Sequence, residues 1–275
     1  MNNIVFKSEE GRDKIRGYYN QILSFFPLTQ RYADTSYGKT FVLEAGSDNN
    51  PAVILLHGSC SNSAAWLGDM PVLAEKFHVF AVDIVGEAGN SEENRLDINE
   101  YSMWLNELLD VLDIDKAVII GNSMGGWMAL HFAAAYPNRT ASLALLAPSG
   151  IIPAKQAFLD QTADITSDPK SAESASDAVF GDEAVPKEVR EFMNLIMENF
   201  NPFTGALPVL TDAQMRKLTM PVLLVAATND VTMDAGKAAE RLSKLVPHAE
   251  VTLIEGAHVI MNAASIVMPF LSEGR

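Results

Sequence analysis

The sequence has a single cysteine, no long apolar run and few basic residues. Cys60 has no second cysteine to pair with, so no intrachain disulfide holds the fold together. No eighteen apolar residues run together, which excludes a transmembrane helix. Residues 1–14 lack the apolar stretch of a signal peptide. From these absences we expect a cytoplasmic protein.

Basic residues are scarce beside the acidic ones. The chain contains 20 Lys and Arg against 35 Asp and Glu, which gives a formal net charge of -15. Such a charge repels phosphate backbones and anionic lipid, and no basic stripe interrupts it. We therefore expect neither a nucleic-acid nor a membrane partner. A monomer or a small homo-oligomer is the separate expectation for the state in solution.

What the sequence does contain is a regular alternation of strand-like and helix-like segments. Its 275 residues, 48% of them hydrophobic, suffice for one large core. Strands are predicted at 40–45, 52–58, 77–83, 116–121, 142–148, 221–230 and 249–258, and helices at 8–25, 62–75, 98–112, 123–136, 234–246 and 259–272. Short apolar strands joined by helices indicate an α/β fold, in which a mostly parallel central sheet has helices on both faces.

The alternation breaks between residues 149 and 217. Two helices are predicted there, at 154–163 and 186–200, with no strand between them. A stretch this long is atypical of a connecting loop. We predict a helical cap at 149–217, inserted into a core formed by 1–148 and 218–275. Its apolar residues are expected mostly in the cap's own core, with the remainder lining a pocket: Phe158, Phe180, Phe192, Met193, Ile196, Met197 and Phe200.

Ser123 lies between a predicted strand and a predicted helix. It is the serine of "GNSMG", a G-x-S-x-G pattern at residues 121–125. At such a junction glycines let strand and helix pass closely, and the serine hydroxyl is exposed above the sheet edge. The position, more than the pentapeptide itself, makes Ser123 a candidate nucleophile.

A serine nucleophile needs a base, and a carboxylate to orient that base. His258 follows the last predicted strand, and Asp230 ends the one before it. The chain order Ser, Asp, His is the order expected of one particular fold. The alternative for Asp230 is a helix cap. Asp234, four residues later, is the better cap candidate and a rival for the catalytic carboxylate.

The other histidines fit the role of base less well. His57 is expected to shape the turn after its strand, and His78, His131 and His248 lie in a strand, a helix and a turn. Cys60 is expected to be a small buried neighbour of the same turn, because nothing in the sequence lowers the pKa of its thiol.

Five segments resemble the α/β-hydrolase superfamily, in the order found there. They are "HGSCSNSAAW", "AVDIVGEAGNS", "GNSMGG", "AATND" and "EGAHV". Within the superfamily the chain looks most similar to capped carboxylesterases of the Bacillus naproxen-esterase type. The resemblance implies Ser123 as nucleophile, Asp230 as acid and His258 as base. It also implies the backbone N–H groups of Ser59 and Met124 as oxyanion donors.

Two departures from the family pattern are visible. The common form D-x-x-G-x-G-x-S has one residue more here, with Asp83, Gly86, Gly89 and Ser91 as the matching positions. This alters a loop and leaves the chemistry as expected. A glutamate and a proline often follow the family's histidine, whereas residues 262–265 read "NAAS". The entry into the last helix is therefore open to question.

The resemblance implies ester hydrolysis through an acyl-serine, with small to medium apolar esters as substrates. No metal or organic cofactor is expected, and no ligand spacing for one is present. Trp66 is a candidate to face the substrate or to brace the cap, whereas Trp127 is expected in the core. The same three residues on this scaffold also serve C–C bond, lactone, thioester and amide hydrolases, so the fold does not fix the substrate. The alternative outside the enzymes is a signalling protein that binds a small ligand in this pocket.

Overall fold

An eight-stranded sheet forms the centre of the computed structural model, which describes residues 4–164, 177–181 and 185–273. The strands are β1 Thr29–Thr35, β2 Gly38–Ala45, β3 Ala52–Leu56, β4 His78–Val82, β5 Ala117–Asn122, β6 Thr140–Leu146, β7 Val222–Ala227 and β8 Glu250–Ile254. Their spatial order is β1-β2-β4-β3-β5-β6-β7-β8. Strands β3 to β8 pair in parallel, whereas β1 and β2 are antiparallel. The predicted mostly parallel sheet is confirmed.

Besides a helical stretch at 177–180, the described residues form the following helices. They are α1 Glu9–Leu23, α2 Met70–Ala74, α3 Tyr101–Val111, α4 Met124–Ala135, α5 Gln156–Asp164, α6 Lys187–Asn199, α7 Asp212–Met215, α8 Ala235–Leu245 and α9 Ala263–Glu273. Side chains along β5 and β7 are buried on both faces of the sheet, which requires cover on each side. None of these helices has the length and apolarity needed to cross a membrane.

Three elements differ from the sequence prediction. Strand β1 was not predicted, because its segment "TQRYADT" is polar and buries only Ala33. The helix predicted at 62–75 is divided into a 3₁₀ turn, Ser63–Trp66, and α2. The last helix begins at residue 263 and not at 259, which leaves a longer loop after β8.

The chain between β6 and β7 contains α5, α6 and α7. Helix α6 packs against α1, where the rings of Phe192 and Tyr18 stack with their centroids 5.2 Å apart. An antiparallel bridge also pairs Phe6 with Phe200. The division into a core and a cap stays a prediction, and residues 165–176 and 182–184 of the predicted cap lie outside the described residues.

Candidate active site

Ser123 lies at a sharp turn between β5 and α4. Its backbone has φ 51° and ψ -111°, values that L side chains rarely adopt. A Cβ on Gly121 would lie 2.3 Å from the Gly125 carbonyl oxygen, and one on Gly125 would lie 2.2 Å from the Leu56 carbonyl oxygen. Backbone atoms cannot yield at such distances. The turn therefore requires glycine at both positions, which explains the "GNSMG" pattern.

His258 joins the other two predicted residues. Its Nε2 lies 2.8 Å from Ser123 Oγ, and its Nδ1 lies 2.8 Å from Asp230 Oδ2. The three residues follow β5, β7 and β8, whose carboxyl ends lie at one edge of the parallel sheet. We call them the Ser–His–Asp cluster. With the proton on Nδ1 donated to Asp230, Nε2 is free to accept the hydroxyl proton of Ser123.

Asp230 is the buried, charged end of this cluster, with 1% of its surface exposed. Burial alone would raise the pKa of its carboxyl group. The hydrogen bond and charge of His258, together with hydrogen bonds from Thr232, outweigh burial and lower that pKa below its ordinary value. Asp230 Oδ1 accepts the Thr232 N–H at 2.7 Å. Asp230 is therefore suited to remain an anion that stabilises a protonated imidazole.

Thr232 is a neighbour of the cluster that sequence reasoning missed. Its Oγ1 lies 3.1 Å from His258 Nδ1, so the imidazole has a second polar contact beside Asp230. A threonine two residues after an aspartate matches no pattern, and only the folded loop brings its hydroxyl to the ring. Lys155 is also close, since its ammonium donates to the backbone carbonyl of Asp230.

Asp234, the rival for the catalytic carboxylate, is engaged elsewhere. Its side chain accepts the Lys237 N–H at 3.0 Å and caps the N-terminus of α8. That hydrogen bond lowers the pKa of Asp234. The structure thus brings Asp230 to His258 and leaves Asp234 in the capping position that the sequence also suggested.

The remaining histidines have partners outside the cluster. His57 is buried, donates from Nδ1 to the Gly58 carbonyl at 2.7 Å, and accepts the Ile84 N–H on Nε2 at 3.0 Å. Burial lowers the pKa of His57, and these bonds fix the turn after β3, as expected. His78 lies 2.6 Å from Glu44, His131 packs on Trp127, and His248 contacts the Met220 carbonyl.

The two predicted oxyanion donors lie on either side of Ser123. Met124 is the first residue of α4, so its N–H has no intrahelical acceptor. Ser59 follows Gly58, and a Cβ on Gly58 would lie 3.5 Å from the Ser123 Cβ. Ser59, Met124, Ser123 and His258 all line one cavity. Each donor is therefore on a segment that borders the nucleophile.

Cys60 lies next to Ser59 and is a free thiol. Burial, with the nearby carboxylate of Glu87, raises the pKa of Cys60 to about 12. The thiol stays protonated at neutral pH, so it is a poor nucleophile. Cys60 lies beside the turn as the sequence predicts, but it is partly exposed and lines the cavity, so the expectation that it is buried is wrong.

The cavity above Ser123 has a volume of about 640 Å³. Much of its wall comes from the segment between β6 and β7, including Phe158, Phe180, Phe192, Met193, Ile196 and Met197. Phe200 is not among the described lining residues; it is buried against Phe6. Ile22 and Phe26 also line the cavity. Sequence reasoning missed this contribution, because an amphipathic first helix does not reveal what it covers.

Trp66 lines the same cavity and is 3% exposed. No described residue accepts its indole N–H. Trp127 instead lies in the core, as expected, and donates its indole N–H to the Pro208 carbonyl at 2.9 Å. Across the described part of the chain, no group of three or more His, Cys, Asp or Glu side chains is arranged to hold a metal ion.

Comparisons of the sequence and of the structure with known proteins point to the same family. A model of the alpha/beta hydrolase fold matches residues 51–195. An uncharacterized carboxylesterase, nap, of Bacillus subtilis (strain 168) is 30% identical over 256 residues, 88% of this chain and 85% of its own length. Carboxylesterase YbfK of the same strain is 27% identical, covering 95% of this chain and 93% of its own. The crystal structure of naproxen esterase from Bacillus subtilis matches with a TM-score of 0.87 at 26% identity, covering 98% of this chain and all of that chain.

Proposed function

The chain belongs to the alpha/beta hydrolase family, and we propose that it is a serine hydrolase of the carboxylesterase type acting on small to medium apolar esters. The observation that supports this most strongly is the pair of 2.8 Å contacts by which His258 joins Ser123 and Asp230. The names of the two Bacillus subtilis relatives support the same reaction class.

In the first half of the proposed reaction, Ser123 is acylated. Its Oγ attacks the ester carbonyl carbon while His258 Nε2 takes the hydroxyl proton. Asp230 holds the Nδ1–H and stabilises the imidazolium. The N–H groups of Ser59 and Met124 donate to the carbonyl oxygen as it gains negative charge, and each such donor is worth about 3 kcal/mol in comparable enzymes. The imidazolium then gives its proton to the leaving alkoxide, which departs as the alcohol.

In the second half, water replaces the alcohol. His258 Nε2 takes a proton from the water, and the oxygen attacks the acyl carbonyl carbon. The same donors hold the oxyanion. When this intermediate collapses, Ser123 Oγ recovers the proton from His258 and the carboxylic acid is released. The reaction needs only the residues of this chain and water.

The charges along the cavity favour a neutral substrate. Among the described residues that line it, the acidic side chains are Asp69 and Glu188, and none is a lysine or an arginine. A substrate that carries its own carboxylate would meet like charge without a cation to offset it. Neutral apolar esters therefore fit this wall better than anionic ones.

Turnover of p-nitrophenyl esters tests the proposal. We expect steady multiple turnover, with the rate rising from acetate to medium-length acyl chains. We also expect a fluorophosphonate probe to label the protein, because Ser123 Oγ displaces fluoride from phosphorus. In Ser123→Ala both signals should be lost, by about 10⁴-fold or more for turnover. Ser272→Ala, which removes an exposed hydroxyl from α9, is the matched control and should keep the wild-type rate.

The ligand-binding alternative predicts a different time course. A single stoichiometric burst of p-nitrophenol, or no product at all from a folded wild-type protein, would contradict the esterase proposal and favour a binding pocket. Circular dichroism of each variant shows that the fold is intact.

A further inference from the structure

The residue after the proposed oxyanion donor Ser59 has an unusual backbone. Cys60 has φ +55°, in the left-handed region that side chains other than glycine disfavour. Its N–H donates to Glu87 Oε2 at 2.8 Å. Ser59 and Cys60 share a peptide group, so fixing the Cys60 N–H fixes the plane of that group. Gly58, on the other side of Ser59, packs against the Ser123 turn. The orientation of Ser59 is therefore restrained from both sides.

Glu87 is a buried carboxylate that the Ser–His–Asp cluster does not use. Only 4% of its surface is exposed, and it is not among the described residues that line the cavity. Burial raises the pKa of Glu87 to about 7, although Arg95 and the Cys60 N–H act in the opposite direction. Burying a carboxylate costs free energy unless it is well paired. A function for Glu87 beside Cys60 would account for this cost.

The loop that carries Glu87 is bound to the loop that carries Ser59 at further points. We call residues 83–91 the β4 loop and residues 57–63 the oxyanion loop. Asn62 Nδ2 donates to the Ala88 carbonyl at 2.8 Å, and the Ser63 N–H donates to a side-chain oxygen of buried Asp83 at 2.8 Å. These contacts fix the position of the two loops relative to each other. The Ile84 N–H also donates to His57 Nε2 at 3.0 Å. Of these four contacts, the one between Glu87 and Cys60 lies next to the proposed donor in the chain.

We propose that Glu87 is a positioning residue of the oxyanion hole. Its carboxylate oxygen accepts the Cys60 N–H and so holds the peptide group on the C-terminal side of Ser59. With Gly58 packed against the Ser123 turn on the N-terminal side, Ser59 keeps the backbone conformation in which its own N–H points at the oxygen of the bound ester. Glu87 acts through Cys60 and Ser59 and touches no substrate. Glu87 and Ala88 occupy the stretch between Gly86 and Gly89 where the common family pattern has one residue, so the longer loop supplies this contact. The inference rests on the proposed esterase function.

Two variants of similar shape distinguish the effect of losing the acceptor oxygen from the effect of losing side-chain volume. Glu87→Gln keeps an oxygen that can accept the Cys60 N–H, whereas Glu87→Met fills the space without one. We expect Glu87→Met to lower kcat by about 10- to 100-fold with KM within about 3-fold, less than the effect of losing a donor outright. Glu87→Gln should stay within about 3-fold of wild type.

Binding of a trifluoromethyl ketone distinguishes positioning from general structural damage. Ser123 adds to this ketone to give an oxyanion, so its affinity should fall in Glu87→Met by the same factor as kcat/KM. Affinity for the matching methyl ketone, which stays trigonal, should not change. Glu107→Met is the control, because Glu107 accepts the Ser36 N–H at 2.6 Å on the surface and should leave both affinities unaltered.

The outcomes separate the two proposals. Wild-type turnover that disappears in Ser123→Ala establishes the esterase, whatever happens at Glu87. Given that result, equal kcat and equal trifluoromethyl-ketone affinity in Glu87→Met and Glu87→Gln would overturn the positioning role. If Glu87→Met does not fold, Glu87→Asp replaces it, since its carboxylate is one methylene too short to reach the Cys60 N–H. An unchanged kcat in Glu87→Asp would then overturn the role.

Discussion

Two loops flank Ser123, and they are held in different ways. The oxyanion loop leaves the central strand β3 and is bound to the β4 loop through the buried side chains of Glu87, Asp83 and Asn62. The loop of residues 255–262, which we call the base loop, leaves β8. That strand lies at the edge of the sheet and has no fully buried residue.

Contacts from three separate parts of the chain hold the base loop and the start of α9. The Gly256 carbonyl accepts the Asn229 N–H at 3.0 Å, and the Val259 N–H donates to the Val179 carbonyl at 3.0 Å in the segment between β6 and β7. The Ala264 N–H donates to Asp69 Oδ1 at 2.8 Å. Asp69 thus supplies the anchor for α9 in a chain that lacks the usual glutamate and proline after His258.

This difference predicts whether a substitution near each loop changes stability or turnover. The oxyanion loop is tied to the β4 loop by buried polar side chains, so changes at those contacts should alter the free energy of unfolding. The base loop depends on a few polar contacts at the sheet edge, so changes there should alter turnover with less effect on stability. Four substitutions test this contrast, from the largest expected effect to the smallest.

On the base side, Asp230→Asn should lower kcat by about 10⁴-fold, or about 5 kcal/mol, because the histidine loses its oriented tautomer and its countercharge. Steady-state kinetics with p-nitrophenyl butyrate measures this. The control is Asp234→Asn, which changes only the cap of α8 and should keep the wild-type rate. A nearly wild-type rate in Asp230→Asn would remove Asp230 from the mechanism.

On the core side, Gly125→Ala should lower the free energy of unfolding by about 3 kcal/mol or more. The new Cβ would lie 2.2 Å and 2.5 Å from the carbonyl oxygens of Leu56 and His57. Urea denaturation measures the loss. Gly17→Ala is the helical control: nothing lies within 4 Å of its Cβ, so we expect a gain of about 0.5–1 kcal/mol. Equal effects of the two changes would refute this account of the turn.

The buried carboxylate of the β4 loop should make stability depend on pH. The pKa of Glu87 is about 7 in the folded protein against 4.5 for an exposed carboxyl group. A raised folded pKa gives stability that is present below pH 4.5 and lost as pH rises through 7. Glu87→Gln removes this loss. Relative to wild type, its free energy of unfolding should rise by about 2–3 kcal/mol between pH 5 and pH 8. A pH-independent difference would count against the buried charge.

The smallest expected effect concerns the second polar contact of the imidazole. Thr232→Val removes the hydroxyl 3.1 Å from His258 Nδ1 and should lower kcat/KM by about 3- to 10-fold, or about 1 kcal/mol. The pH profile of kcat/KM should shift as well. Thr211→Val, which removes the cap of α7, should change stability alone. An identical pH profile in Thr232→Val would deny the hydroxyl any part in positioning His258.

Local patterns were enough to predict most of the sheet and the three residues that meet in the Ser–His–Asp cluster. A G-x-S-x-G turn is specified within five residues, and strands β2 to β8 lie in short segments rich in apolar residues that turn residues bound. Strand β1 was missed because its polar sequence gains stability only by pairing with β2.

Other features could not be predicted because they depend on distant partners. The hydroxyl of Thr232, the side chain of Phe26 just after α1 and the carboxylate of Glu87 have no local signature. Each acts through a part of the chain that is distant in the sequence. Thr232 contacts His258, Phe26 lines the cavity, and Glu87 accepts the Cys60 N–H.

The bridge between Phe6 and Phe200 has a consequence for synthesis on the ribosome. The Ile4 carbonyl accepts a hydrogen bond from Asn201, 197 residues later in the chain. At about 5–20 residues per second, the first segment waits roughly 10–40 s for its partner to be made. During that interval Val5 and Phe6, which are buried in the folded protein, lack the residues around Phe200 that cover them.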